Sequence, residues 1–359
     1  MFSRNRSLIF LTVVVVLVGS IGVCIADAQQ ATPDPVAKSP VPTPTPPVKD
    51  EDEVIKVDTD VVNVLFTAQD HNRRLLTTLK QEDVKILEDG KPQEISAFSR
   101  MVDLPLSLAI LIDVSVSQQR TLPEEKAAAI SFLETVVRPA KDEVSVISFT
   151  GESTLEQGMT NNLPRLRHVI ERVQFVPPSG YIGGGVIAGT PPISGRNQSI
   201  QGSTAIWDAI WVTSDEILGP APEKTRRAII LLTDGNSNSD KKKLDEAVQA
   251  ALRSEAIIYS VGIGDNFYQG VDKGSLNKIS ERTGGRAYFP KDERELRIAF
   301  EQIQEEMRSQ YLLAYEPSNQ ARDGSYRKIE IQLVNPQLVK DKIKVTHRQG
   351  YFAKSTPKK

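Results

Sequence analysis

The sequence predicts a doubly wound, Rossmann-like α/β domain set between two β-rich segments, and three observations carry that expectation. The runs LSLAILIDV, EVSVISF, RAIILLTD and AIIYSVGIG are apolar without polar alternation, as expected of parallel strands covered on both faces. Stretches of helical periodicity such as PEEKAAAISFLETVV and DKKKLDEAVQAALRSE separate them, so strands and helices alternate along the chain. Before Leu104 and after Ser309 the pattern changes to alternating apolar and polar residues, the period of half-buried strands.

In chain order, residues 1–28 read as an export signal. Arg4 and Arg6 precede the apolar run LIFLTVVVVLVGSIGVCIA, and ADA ending at Ala28 is a small-x-small cleavage site. Left uncleaved, the run is long enough to span a bilayer, the one condition under which we expect a membrane contact. The only cysteine of the 359 residues, Cys24, falls inside this signal. The chain after Ala28 therefore has no disulfide, thiolate metal site or cysteine nucleophile. Exported chains of this size without disulfides point to a bacterial envelope, either periplasmic or secreted. Residues 29–53 are rich in Pro, Thr and Lys and have almost nothing to bury, so they form an extended linker.

Residues 54–102 make an N-terminal β segment. VIKVDTDVVNVLFTAQD alternates, and Asp89-Gly90 in VKILEDGKPQEISAF is a two-residue hairpin signal. These strands are too few to stand alone. The α/β domain follows over residues 103–309, with further helices at NLPRLRHVIERV, TAIWDAIWVTSDEIL, LNKISERTG and ERELRIAFEQIQEEMRS and a short strand at RAYFP. Residues 310–359 return to β character in QYLLAYEP, SYRKIEIQLV and KIKVTHRQGYFA. Both β segments could complete one β-sandwich, with the α/β domain inserted between them.

Lys and Arg total 44 against 46 Asp and Glu, a net charge of −2, which gives no electrostatic footprint for nucleic acid. The chemistry is elsewhere. Asp113, Ser115 and Ser117 alternate where the first core strand leaves its sheet, in AILIDVSVSQQR. Asp234 closes the strand RAIILLTD, and Thr204 opens the helix of GSTAIWDAI. Ligands of open α/β sheets bind beyond the carboxyl ends of the strands. Two carboxylates and three hydroxyls converging there, without His or Cys, suit a hard divalent cation, Mg²⁺ or Mn²⁺. Taken singly, Asp113 could cap a helix and Asp234 could open a turn with Gly235; together with the hydroxyls they form a metal site.

DVSVS, the Thr of GSTAIWDAI and the Asp of LLTDG resemble the metal-ion-dependent adhesion site of von Willebrand factor type A domains, over roughly Leu104 to Ser309. The flanks, VVNVLFTAQD through ISAFSR and QYLLAYEPSN through RQGYFA, resemble the von Willebrand factor A-related proteins abundant in acidobacteria. The resemblance implies that Ser115, Ser117 and Thr204 ligate the metal directly. It implies that Asp113 and Asp234 act mainly through bound water, and that a partner's Asp or Glu carboxylate completes the shell. The implied function is metal-dependent adhesion to a protein ligand.

Other motifs lead nowhere. DGNSNSD starts like a calcium loop but has Ser239 and Asp245 where Gly and Glu are needed. The glycine-rich YIGGGVIAGT lacks the Gly-Lys-Ser/Thr ending of a phosphate loop and reads as an insertion edging the site. His71, His168 and His347 have no ligand spacing, and Trp207 and Trp211 form a helical core stripe. An enzyme is not expected: no paired Lys accompanies Asp113, as phosphoryl transfer would need, and no Gly-x-Ser-x-Gly elbow is present. The rival reading is a structural envelope protein whose metal only stabilises the fold.

Overall fold

Alternation in the first β segment becomes four strands: β1 (Val62–Gln69), β2 (Val84–Glu88), β3 (Lys91–Gln93) and β4 (Ile95–Arg100). The structure, a computed structural model, describes residues 60–100, 104–176, 181–182, 185–186, 204–222, 225–264 and 270–355. The export signal, the linker and most of the glycine-rich insertion lie outside the described residues. Glu88 faces Lys91 across the β2–β3 hairpin, and Asp89 and Gly90 have φ of +48° and +79°. Two positive φ angles in a two-residue loop are the type I′ geometry that Asp-Gly favours.

The central sheet comprises β5 (Leu106–Asp113), β6 (Glu143–Phe149), β7 (Ser153–Thr160), β10 (Arg226–Thr233), β11 (Ala256–Gly262) and β12 (Ala287–Tyr288). Between them β8 (Tyr181–Ile182) and β9 (Gly185–Val186) pair only with each other. The order is β12-β11-β10-β5-β6-β7, parallel except for the antiparallel edge strand β7. Every residue of β5, β10 and β11 is buried, which is why these strands read as unbroken apolar runs. Pleating sends Leu108, Ile110 and Ile112 into one core and Ala109 and Leu111 into the other.

On the first face lie α1 (Leu122–Val136), α2 (Leu163–Arg172) and α6 (Glu293–Arg308). Phe132, Leu166 and Phe300 pack there against the sheet. On the second lie α3 (Ile206–Val212), α4 (Leu244–Arg253) and α5 (Lys273–Thr283), through Ile210, Val248 and Ile279. The helix α3 continues as a π-helical turn over Thr213–Leu218. Trp207 joins this core, whereas Trp211 is half-buried with the Lys242 ammonium 4.7 Å from its ring centre. The expected tryptophan stripe is therefore half right.

The last strands are β13 (Tyr311–Tyr315), β14 (Tyr326–Leu333), β15 (Lys344–His347) and β16 (Gly350–Phe352), with the short helix α7 (Pro336–Lys340). They interleave with the first four in two antiparallel sheets, β15-β1-β13-β4 and β16-β14-β2-β3. Val62 faces Tyr315 and Ile86 faces Ile331, and Phe66, Ile86, Tyr311 and Ile329 share one core. Two sheets around one core make a sandwich, built from both β segments with the α/β domain inserted between them. Among the described residues no helix is long and apolar enough to cross a membrane.

Candidate metal centre

The chain runs from β5 to β6 on one side and returns to β10 on the other, so strand order reverses between β5 and β10. That reversal opens a crevice at their carboxyl ends. Asp113 is the last residue of β5, and Asp234 follows the last residue of β10. Both are buried, at 0% and 2% exposure, as are Ser115 and Thr204, at 5% each, while Ser117 is half-buried.

Asp113 organises the first loop. One carboxylate oxygen accepts the Ser115 N–H at 2.9 Å, and the other accepts the Thr233 hydroxyl at 2.6 Å. The Ser115 N–H bond folds the backbone back on itself, and Ser115 starts a short 3₁₀ turn over Val116–Gln118. The Ser115 and Ser117 hydroxyls then lie 3.1 Å apart. Gln118, fully buried, donates to the Ile263 carbonyl at 3.0 Å and ties this turn to the loop after β11.

Asp234 organises the second loop. Its carboxylate accepts the Asn236 N–H at 2.9 Å, and its carbonyl accepts the Asp272 N–H at 2.8 Å. Gly235 turns the chain with φ of +82°, and a Cβ there would lie 2.9 Å from Leu276, so only glycine fits. The segment DGNSNSD now has a role: it clamps Thr204. The Thr204 carbonyl accepts from the Asn238 and Ser239 N–H groups at 3.0 and 3.2 Å and from the Ser237 hydroxyl at 3.1 Å. Asn238 Oδ1 accepts the Thr204 N–H at 2.8 Å. Asp240 accepts the Trp207 N–H at 2.8 Å and so caps α3.

One acid escaped the sequence reading. Glu125 of α1 is fully buried, with the Thr121 hydroxyl as its hydrogen-bonding neighbour. Burial pushes its carboxyl up to about 8, with the charges of Asp113 and Asp234 adding to the effect. Burial likewise pushes Asp113 up to about 7; bonds from Ser115 and Thr233 oppose the rise and the Asp234 charge adds to it. A signal for Glu125 did exist: it shares the core-facing stripe of α1 with Leu122, Ala128, Ala129 and Phe132, where an acid is out of place.

Among the described residues no three His, Cys, Asp or Glu side chains form a metal-ligating group. The donor set is mixed: two serine hydroxyls, a threonine and two carboxylates, all oxygen. Oxygen donors suit a hard divalent ion, and the buried Glu125 carboxyl feels the charges of Asp113 and Asp234, a region rich in acids. The residues fit such a cation. The histidines stand apart: His71 and His168 are exposed, and His347 bridges the Arg348 carbonyl and the Ile331 N–H.

Fold and donor set define an α/β domain with an oxygen-lined crevice at the strand ends. Residues 193–306 match the family model of the von Willebrand factor type A domain. The match includes Thr204 and Asp234 and begins after the DVSVS stretch. An uncharacterized protein of Borreliella burgdorferi is 28% identical over 137 residues, 33% of this chain and 36% of that protein. The chain thus spans about a third of that relative. Proximal thread matrix protein 1 from the mussel byssus aligns at a TM-score of 0.46 and 17% identity, over 61% of this chain and 51% of its own. Its form with a zinc-occupied MIDAS motif aligns at 0.45 and 18%, over 61% and 50%. An aerotolerance-related membrane protein from Bacteroides fragilis aligns at 0.41 and 17%, over 56% of this chain and all of that one.

Proposed function

We propose that the protein is an exported binding module that captures an acidic side chain of a protein partner through a divalent cation, Mg²⁺ or Mn²⁺. The observation that carries the reading is the arrangement of Ser115, Ser117 and Thr204 with Asp113 and Asp234 at the strand-order reversal. Ser115, Ser117 and Thr204 would hold the ion through neutral hydroxyls, and Asp113 and Asp234 would hold its water. Bound in this way, the ion offers an electrophilic position to an external carboxylate. Asp113 holds the serine turn, and the Ser237–Ser239 loop holds the Thr204 carbonyl, which supports the reading. Neutral donors leave the cation's charge largely uncompensated, which is what a partner's Asp or Glu requires.

The family match supports a protein-interaction module rather than an enzyme. Asp113 has both oxygens engaged by Ser115 and Thr233, which supports a binding role for it rather than that of a free nucleophile. The apolar residues before Ala28 support export. Affinity capture of envelope proteins in Mg²⁺ and in EDTA tests the proposal, with Thr204→Ala as control. A partner should be retained only with metal and lost in the variant. Equal retention in EDTA would defeat the proposal, and metal binding that stabilises the fold without any partner would favour a structural role.

A further inference from the structure

Strands of a sandwich sheet turn alternate residues away from the core, and those outward residues are ordinarily polar. One stretch of β1 and β13 departs from this. Val64, Phe66 and Leu313 belong to the sandwich core, so Leu65 and Leu312, opposite each other across the two strands, face outward. This outer face is turned to the α/β domain: Leu65 packs on its first core, and Gln69 donates to Glu306 of α6 at 2.9 Å. The cover is uneven. The polar residues Thr67 and Gln69 are buried, at 4% and 5% exposure, whereas the two leucines are only half-buried.

Beside the leucines lies a recess of about 270 Å³. Its other apolar walls are Leu104, just ahead of β5, Leu252 near the end of α4 and Ile257 at the start of β11. Native interiors are packed to the density of organic crystals, and an apolar void forfeits the contacts its lining could make. The arginines at the margin are already engaged. Arg348 donates to Glu255 at 3.1 Å and to the Asn63 carbonyl at 2.7 Å, and Arg227 to the Ala221 carbonyl at 2.7 Å. Arg226 donates to the Met307 and Leu104 carbonyls. The recess therefore offers a ligand apolar surface rather than charge.

We propose that this recess binds a small, uncharged, largely apolar molecule. A dry apolar cavity of about 150 Å³ takes a single benzene ring, so the volume here is on the scale of two fused rings or an alkyl chain of similar bulk. Water is a poor occupant, because it needs two or more polar partners and five of the walls are leucine or isoleucine. Seams between domains are a common place for such sites. Holding the sandwich to the α/β domain accounts for the buried Thr67 and Gln69. It does not account for two outward leucines that the seam leaves half-covered.

Fluorescence titration of the full chain with naphthol, in EDTA, tests the site apart from the metal centre. Naphthalenesulfonate, the same rings with a permanent charge, is the control. Naphthol should bind saturably, and the sulfonate at least about tenfold more weakly, because burying its charge has no compensation there. Leu312→Trp fills the recess and should abolish binding. Leu65→Asn places a polar residue at an outward, half-buried position and should weaken binding by about tenfold, the scale of one lost leucine contact. Circular dichroism checks that each variant folds; should Leu312→Trp fail to fold, Leu65→Asn decides alone. The proposal is overturned if naphthol does not saturate, if the sulfonate binds equally well, or if a folded variant keeps the affinity of the unaltered protein.

Discussion

At their carboxyl ends the central strands carry Asp113 and Asp234 beside serine and threonine hydroxyls; at their amino ends, β10 begins with Arg226 and Arg227. The first end is covered by the domain's own loops, such as the turn at Ser115 and the Ser237–Asp240 segment. The sandwich lies against the second, where the Gln349 N–H donates to the Arg282 carbonyl at 3.1 Å and Arg348 pairs with Glu255. In a parallel sheet the two ends are chemically inequivalent, because every strand points the same way. A residue's place in its strand, first or last, then decides which surface it joins. Here the amino end carries the sandwich, and the carboxyl end carries the oxygen donors.

The largest test of this division removes the attachment. Deleting Gln310–Lys359 takes away β13 to β16, half the strands of each sandwich sheet, and uncovers Val64, Phe66 and Ile86. The truncated protein should aggregate, as read by light scattering; a monomer with an unchanged melting curve would mean the two regions stand independently.

Next in size is the ligand end. Replacing Ser115 and Ser117 together by Ala should lower Mg²⁺ or Mn²⁺ affinity by about 100-fold or more, at roughly tenfold per lost oxygen donor. Circular dichroism should not change, because these hydroxyls hold no strand. Calorimetry giving equal affinity for both proteins would remove the metal from this end.

The buried acids give a pH signature. In the folded chain Glu125 rises from its ordinary 4.5 to about 8, and Asp113 from 3.8 to about 7. Both therefore keep protons in the folded state that the unfolded chain has released. Their contribution to stability is fully present below the ordinary carboxylate range and is lost as pH rises towards about 8. The metal-free protein should melt progressively lower across that window. Mg²⁺ should restore the upper part, and Glu125→Gln should flatten the slope. A metal-free melting temperature that climbs from pH 4 to pH 8 would contradict the assignment.

The smallest effect is expected at the seam. Gly284 ends α5 with φ of +90°, and a Cβ there would meet the Arg348 backbone nitrogen at 2.6 Å. Gly284→Ala should cost about 1–3 kcal/mol in urea unfolding, the scale of local backbone strain, while metal affinity stays the same. A coupled loss of metal affinity would mean that the two ends communicate.

How much of this was legible in the sequence follows from burial. The strands β5, β10 and β11 are buried on both faces and read as apolar runs, and Asp89-Gly90 announced its hairpin because only certain residues accept its φ angles. The edge strand β7 gave no signal: its first four residues are exposed, and STLEQGMT has neither period. The helix α7 is five residues long, too short for periodicity. Asp113, Ser115, Ser117, Thr204 and Asp234 were visible as residue types at strand ends. Glu125 was legible only from its place on the core-facing stripe of α1, because an acid in a first helical turn is otherwise ordinary.

The meeting of the chain's two ends has a kinetic side. The strand β1 pairs with β13 and β15, and β2 with β14, so no sandwich sheet can close until the whole α/β domain has been threaded between its halves. During synthesis the first four strands wait with open edges while the intervening residues are made, and edges of that kind invite pairing with other chains. The inserted domain, with its own two cores, can condense first and bring the halves together, shortening the loop to be closed. In refolding followed by pulsed hydrogen exchange, amides of β5 and β10 should gain protection before those of β1 and β14, and the delay between them should set the window in which the nascent protein depends on a chaperone.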